Sequence, residues 1–282
     1  MPCDCLRPGF GRLLGFVLLA IAAGCAQTPT SPSSSGAVLS RGSVLQGGPE
    51  APADSLGPVN AVGATHFVAF GDSITSGVLS SFDGGFLFDP GPTTSYPYQL
   101  ASLLEANFTA QNFDIDNYGQ GGEWAAQALA SNRFVQMLGA ERPQGVLLLE
   151  GINDLNNERS IGDVVGSLQQ MVDLARLYNA TVLLGTMFQT CQSIQPETGQ
   201  VRPNSADKIV AFNNSLKAMA AGRQNVYVVD VFAAFGNNCG PDGGVNLLGA
   251  DGLHPTPNGY VVLGTTFGLA IRDRFPVRGS FQ

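Results

Sequence analysis

The sequence has 282 residues, 44% hydrophobic and only 13% charged, which suits a globular chain with a large core and argues against disorder. Its 36 glycines and 17 prolines favour a fold rich in tight turns over a helical bundle. A formal net charge of −8, with no run of Lys or Arg, argues against nucleic-acid binding and gives no electrostatic attraction to anionic lipid surfaces.

Arg7 and Arg12 precede an apolar run from Leu13 to Ala23 that ends at Gly24-Cys25. A bilayer span needs about 20 apolar residues, so this shorter run reads as an export signal. Ala22-Ala23-Gly24-Cys25 resembles a bacterial lipoprotein cleavage box, which makes Cys25 the lipidated first residue; an ordinary signal peptide is the alternative. Residues 26–62 are rich in Ser, Pro, Gly and Ala without periodicity and read as a flexible tether. The expected organisation is therefore a leader over 1–25, a tether over 26–62 and a folded domain over 63–282. Such a protein is lipid-anchored on the periplasmic or surface side of a bacterial membrane, or secreted where lipid is not added. Cys3 and Cys5 leave with the leader. Cys191 and Cys239 remain, an even number in an oxidising compartment, each just beyond a predicted strand, and are expected to pair.

Periodic structure begins near Ala64. Thr65 to Phe70 reads as a buried strand and Tyr96 to Phe108 as a helix. Phe113 to Tyr118 alternates as a strand, and a single helix is expected from Glu123 to Gly139. Val146 to Leu149 is a continuous apolar run, as a parallel strand covered on both faces should be. Ile161, Val164, Val165, Leu168, Met171, Val172 and Ala175 recur at helical spacing behind Ser160, a suitable N-cap. A strand from Thr181 to Met187, a helix through Ile209 to Met219, a strand from Val226 to Val231 and a helix from Pro257 to Arg272 complete the chain. Strand and helix thus alternate about five times, which predicts an α/β fold: a three-layer α/β/α sandwich on a mainly parallel five-stranded sheet. In such folds chemistry sits at the carboxyl ends of the strands.

Four motifs fall at those places. Gly71-Asp72-Ser73 follows the first strand, Asn117-Tyr118-Gly119-Gln120-Gly121-Gly122 the second, and Gly151-Ile152-Asn153-Asp154 the third; Asp251-Gly252-Leu253-His254-Pro255 precedes the last helix. Each alone is ordinary turn chemistry. Their order and placement resemble the GDSL, or SGNH, hydrolase family over the whole folded part, from about Phe67 to the last helix. The resemblance implies the flavodoxin-like SGNH fold and a serine ester hydrolase of carboxylesterase or lipase type.

A serine at its free pKa needs a base within hydrogen-bond reach. The chain has two histidines, His66 and His254. His66 starts the first strand, at the far end from the expected site, so His254 is the base for Ser73 by elimination as well as by motif. Asp251 can accept from the other imidazole nitrogen and fix the tautomer. By the family pattern the oxyanion meets the N–H groups of Ser73 and Gly122 and the side-chain amide of Asn153, with Gly119 as a second candidate. Glycine at 122 leaves no Cβ in the way of the oxyanion. Gly121 stands where the family often has serine. Activity should rise through the ordinary imidazole range, about 6.5. Asp72 and Asp154 read as loop organisers and Asp230 as structural, while Trp124 suits either an acyl pocket or the core.

Other chemistries lack parts: there is no His-Glu-x-x-His, no His- or Cys-rich metal cluster, no phosphate-binding Gly-rich loop and no Gly-x-Ser-x-Gly. No cofactor or metal is expected. The partner is an ester substrate of small-molecule, lipid or sugar type, and the sequence does not speak to oligomeric state. The link from Val78 to Tyr96 carries Phe82, Phe86, Phe88 and Tyr96 and reads either as the wall of an acyl pocket or as a loop packed on the core. The loop from Gln189 to Ser205 can form a second wall. An acetyl-carbohydrate esterase is the alternative within the enzyme class, and a non-catalytic surface lipoprotein using this scaffold for binding is the alternative outside it.

Overall fold

Val62 begins the packed structure: it is buried, bridges Pro276 and exchanges two hydrogen bonds with the Gln111 side chain. The computed structural model describes residues 61–80, 87–191, 193–194, 201–202, 206–236 and 247–277, all within a unit from Gly48 to Gln282. In chain order these residues form β1 (His66–Gly71), α1 (Ser73–Ser76), β2 (Leu79–Ser80), β3 (Leu87–Phe88), α2 (Tyr96–Asn107) and β4 (Asp114–Gly119). Next come α3 (Ala125–Ala130), α4 (Arg133–Glu141), β5 (Gly145–Leu149), α5 (Ile152–Asn156), α6 (Ile161–Leu177), β6 (Thr181–Gly185), β7 (Ser193–Ile194) and β8 (Val201–Arg202). The chain ends with α7 (Ala206–Ala220), β9 (Val226–Val229), α8 (Val231–Phe235) and α9 (Pro257–Arg274).

The main sheet is five-stranded in the order β4-β1-β5-β6-β9, and every pairing is parallel. This is the expected α/β fold. The strand after β1 goes to one side of it and the next to the other, so the order reverses beside β1. That reversal opens a crevice at the carboxyl ends of β1, β4 and β5. Every residue of the apolar run Val146 to Leu149 is buried, as a central strand covered on both faces requires. Alternate residues of β1 serve opposite faces: Phe67 meets Phe275 edge-on, just beyond α9, and Phe70 meets Phe134 of α4. The layer of α2 and α9 is knitted by Tyr96 stacked on Phe267 at 5.2 Å, and α6 and α7 pack together. The two short ribbons, β2-β3 and β7-β8, are antiparallel and lie outside the main sheet.

One element departs from the expected pattern. The helix expected from Glu123 to Gly139 is two helices, because Asn132 takes a left-handed conformation (φ 60°) that stops α3 and restarts the chain as α4. Asn tolerates that conformation better than most residues, and a Ser-Asn pair inside an apparent helix was the available signal. Ser160 caps α6 as expected, accepting from the N–H of Asp163 at 3.1 Å. Among the described residues no helix is long and apolar enough to cross a membrane.

Candidate active site

Ser73 opens α1 directly behind β1. Asp72 caps that turn by accepting from the N–H of Ile74 at 2.8 Å, and Gly77 closes it in the left-handed region. Cap and strand end together point the first residue of the helix into the crevice. His254 arrives from the far end of the sequence on a loop that is fastened to itself. The Gly249 N–H donates to the His254 carbonyl at 2.8 Å, the Gly252 N–H donates to the Gly249 carbonyl at 3.0 Å, and Leu248 bridges Pro255. Gly252 sits at φ 67°, a conformation that explains the glycine. The Ser80 hydroxyl of β2 accepts from the Asp251 N–H at 3.4 Å, so the β2-β3 ribbon is tied to the same loop.

The three side chains form one line. His254 Nε2 lies 2.8 Å from Ser73 Oγ, and its Nδ1 lies 2.6 Å from Asp251 Oδ2. Asp251 Oδ1 accepts from the N–H groups of Leu253 and His254, both at 3.1 Å. All three residues are buried, Ser73 least at 7% exposure. Burial pushes the Asp251 carboxyl up, but the hydrogen bond and charge of His254 and the two N–H groups outweigh it and hold the group below its ordinary range. A carboxylate that stays ionised orients the imidazole and stabilises the imidazolium, while Nε2 is free to take a proton from the serine.

The second motif approaches Ser73 from the β4 side. Gly119 ends β4 beside Gly71, where a Cβ would collide with the Ser76 backbone at 2.1 Å; it is a packing glycine rather than an open donor. Gly121 and Gly122 are exposed, and a Cβ on Gly121 would lie 4.0 Å from that of Ser73. Gly122 has φ 74°, a backbone conformation that favours glycine, and the space where a Cβ would stand is open. Asn153, in the first turn of α5, donates from Nδ2 to the Glu123 carbonyl at 3.0 Å, which leaves its amide with a second N–H. Asp154 accepts from the Ala125 N–H at 3.0 Å, an organiser of the loop as its position suggested. Asp230 caps α8 through Ala233 and pairs with Lys217 at 3.0 Å. Trp124 is half-buried at the start of α3, with the Arg159 guanidinium 5.2 Å from its ring.

Two buried carboxyls stand behind the line. Gly71 pairs with Leu149, so Asp72 and Glu150 follow adjacent positions in neighbouring strands. Both are at most 3% exposed. Each has one oxygen held by a backbone N–H, Ile74 for Asp72 and Gly151 at 3.0 Å for Glu150, and one buried oxygen with no hydrogen-bond partner. Burial, with the charges of Asp154 and Glu123 adding, pushes Asp72 up to about 7 against the pull of Ile74 and His254. Glu150 is pushed well above its ordinary range, first by burial and then by Asp72. The motifs included Asp72 but not Glu150. Its one signal was a carboxylate set directly after an apolar strand.

Tyr96 of the long link is fully buried in the core, whereas Leu87 and Phe88 are about half exposed on the β2-β3 ribbon. Phe82, Phe86, Cys25, Cys239 and the leader lie outside the described residues, as does most of the tether. Cys191 is disulfide-bonded, and its partner also lies outside them.

The sequence model of the GDSL-like Lipase/Acylhydrolase family matches residues 69–262. No curated protein matches the chain. Among solved structures, an acetyl xylan esterase variant from Geobacillus stearothermophilus is 22% identical with a TM-score of 0.57, covering 78% of this chain and 99% of its own. The lipase/acylhydrolase from Enterococcus faecalis is 22% identical with a TM-score of 0.57, covering 77% and 100%. A GDSL-like lipase from Bacteroides thetaiotaomicron is 19% identical with a TM-score of 0.54, covering 74% and 88%. At these identities the likeness is one of fold.

Proposed function

The chain belongs to the GDSL-like lipase/acylhydrolase family, and from that premise we propose that it is a serine carboxylesterase or lipase acting through an acyl-enzyme on Ser73. The observation that carries the reading is the unbroken line Asp251–His254–Ser73, with contacts of 2.6 and 2.8 Å. Ser73 Oγ attacks the ester carbonyl as His254 Nε2 takes its proton. The tetrahedral oxyanion is met by the N–H groups of Ser73 and Gly122 and by Asn153 Nδ2. His254 then protonates the leaving alcohol, and in the second half it activates the water that releases the acid. Preorganised donors of this kind are each worth about 10²–10³ in kcat.

Longer acyl chains are favoured by Leu87 and Phe88, which stay about half exposed on a ribbon tied to the Asp251 loop. The likeness to an acetyl xylan esterase supports an acetyl-carbohydrate esterase as the second reading. The full chain is tested on p-nitrophenyl acetate, butyrate and decanoate beside Ser73→Ala. Turnover that vanishes in the variant, with decanoate preferred to acetate, is expected. Equal rates for both proteins would end the serine reading, and a sharp preference for acetate would move the substrate to the second reading.

The leader sequence supports export with lipid on Cys25, and two cysteines beyond the tether support a Cys191–Cys239 bond. Incorporation of labelled palmitate that is lost in Cys25→Ala tests the first. A non-reducing peptide map tests the second, and a linkage of Cys191 to another cysteine would overturn it.

A further inference from the structure

The loop that carries Gly121 and Gly122 is held from below by a pair that the four motifs do not include. Arg133 donates from Nε to Glu123 Oε1 at 2.8 Å and from Nη2 to Glu123 Oε2, a bidentate pair. The same guanidinium donates from Nη1 to the Tyr118 carbonyl at 2.7 Å and from Nη2 to the Gly71 carbonyl at 3.3 Å. Its Cζ lies over the Phe70 ring, 3.9 Å from the ring centre. Glu123 is 3% exposed, and its own carbonyl accepts the Asn153 amide at 3.0 Å. One side chain thus fastens the end of β1 just before Ser73, the end of β4 and the residue that follows Gly122. Through Glu123 it also reaches Asn153.

The position of Arg133 is otherwise hard to justify. It is the first residue of α4, where a cation opposes the helix dipole, and it is brought there by the left-handed break at Asn132. Burying a charge pair costs desolvation that its attraction repays only with good geometry, so such a pair adds little net stability compared with apolar residues of the same size. Geometric control of what it touches is the stronger reason to keep it. Arg133 also cancels the Glu123 charge next to the place where a negative oxygen would develop.

We propose that Glu123 and Arg133 are positioning residues for the oxyanion hole, holding Gly122 and Asn153 at a fixed separation from Ser73. The inference rests on the serine-esterase reading above. It assigns to the pair an effect on the tetrahedral species and not on substrate binding. A planar fork is needed to reach Glu123, Tyr118 and Gly71 together, so Lys, a point charge, does not replace it.

The test compares wild type with Arg133→Lys, Arg133→Met and Glu123→Gln in the full chain, each checked for native circular dichroism and Tm. kcat and KM are measured on one p-nitrophenyl ester, with the inhibition constant of an alkyl boronic acid. The boronic acid mimics the tetrahedral state: serine Oγ adds to boron, the serine proton passes to His254, and no group leaves. In both Arg133 variants kcat should fall about 10–100-fold with KM within about threefold, since the loss is of transition-state contacts alone. The boronate constant should rise by the same factor, while the pH of the acidic limb stays where it is in wild type. Glu123→Gln should fall between. A folded Arg133→Lys with wild-type kcat and boronate affinity would overturn the proposal, as would a loss that appears in KM alone. If Arg133→Met does not fold, Arg133→Lys and Glu123→Gln decide on the same criteria. Ser73→Ala runs alongside: turnover that survives it refutes the serine reading, and the positioning role with it, independently of the Arg133 results.

Discussion

The two histidines of the chain stand at opposite ends of the sheet, and each faces an aspartate. His66 begins β1, with Nε2 3.2 Å from Asp116 Oδ2; His254 lies beyond the other end of β1, with Nδ1 2.6 Å from Asp251 Oδ2. As residue types the pairs are identical. They differ in what surrounds them. The side chains of the first pair are 26% and 35% exposed, and Glu141 is its near neighbour; those of the second are 4% and 5% exposed, with Ser73 Oγ at the imidazole's free nitrogen. A parallel sheet explains the asymmetry, because strands that all run one way gather their following loops at one edge. An imidazole–carboxylate pair becomes a candidate relay only where that gathering also delivers a buried hydroxyl and donors for an oxyanion.

The two pairs should differ most at His254. His254→Gln, with its fold intact, should lower kcat/KM for a p-nitrophenyl ester by a factor on the order of 10⁴ or more, as expected when one member of a unit is lost. Activity within tenfold of wild type would show that Ser73 does not depend on this base. Asp251→Asn should cost about 10³–10⁴-fold, because an amide at Oδ2 can donate to Nδ1 and favour the wrong tautomer. A loss of tenfold or less would reduce Asp251 to a loop organiser, a role its contacts with Leu253 and His254 could fill alone.

Much of this contrast was legible in the residues. Ser73, Asp251 and His254 could be read because each sits in a short motif beside a strand or helix whose apolar pattern was clear, and the parallel sheet followed from the alternation itself. The left-handed turn at Gly122 is a second reason for its glycine that composition does not show, since φ is a property of the folded chain. Arg133 and Glu150 escaped for another reason. Their importance comes from what the fold sets beside them, Glu123 ten residues away for one and Asp72 just past the end of the neighbouring strand for the other, and no local spacing encodes those neighbours.

The buried acids behind Ser73 affect stability. Asp72 and Glu150 are both pushed up in the fold, Asp72 to about 7, whereas ordinary carboxyls titrate near 4 in the unfolded chain. Above about pH 4 the native state therefore holds more protons than the unfolded state, and stability falls as pH rises, through about 7 for Asp72. Glu150→Gln keeps the shape and removes one buried acid. Its Tm should match wild type near pH 4 and exceed it at pH 8 by several degrees, on a scale of about 2–4 °C per kcal/mol for a domain of this size. A variant less stable than wild type at pH 8 would mean that the charge of Glu150 has a partner and is needed.

The smallest expected effect belongs to His66, and it tests whether the resemblance between the two pairs carries any function. His66 donates toward Asp116, whose carboxyl is raised chiefly by burial and further by Asp114 and Glu141, against the hydrogen bond from His66. Both groups reach solvent, and a pair of that kind is worth about 0–1 kcal/mol. His66→Gln can still donate to Asp116 and should change Tm by no more than a few degrees. Its kcat/KM should stay within about twofold of wild type, with an unmoved acidic limb. The reason is positional: His66 stands a full strand away from Ser73, at the end of β1 from which no site loop departs. A tenfold loss of activity would mean that the two ends of β1 are coupled, and burial at His254 would then no longer be sufficient to distinguish the two pairs.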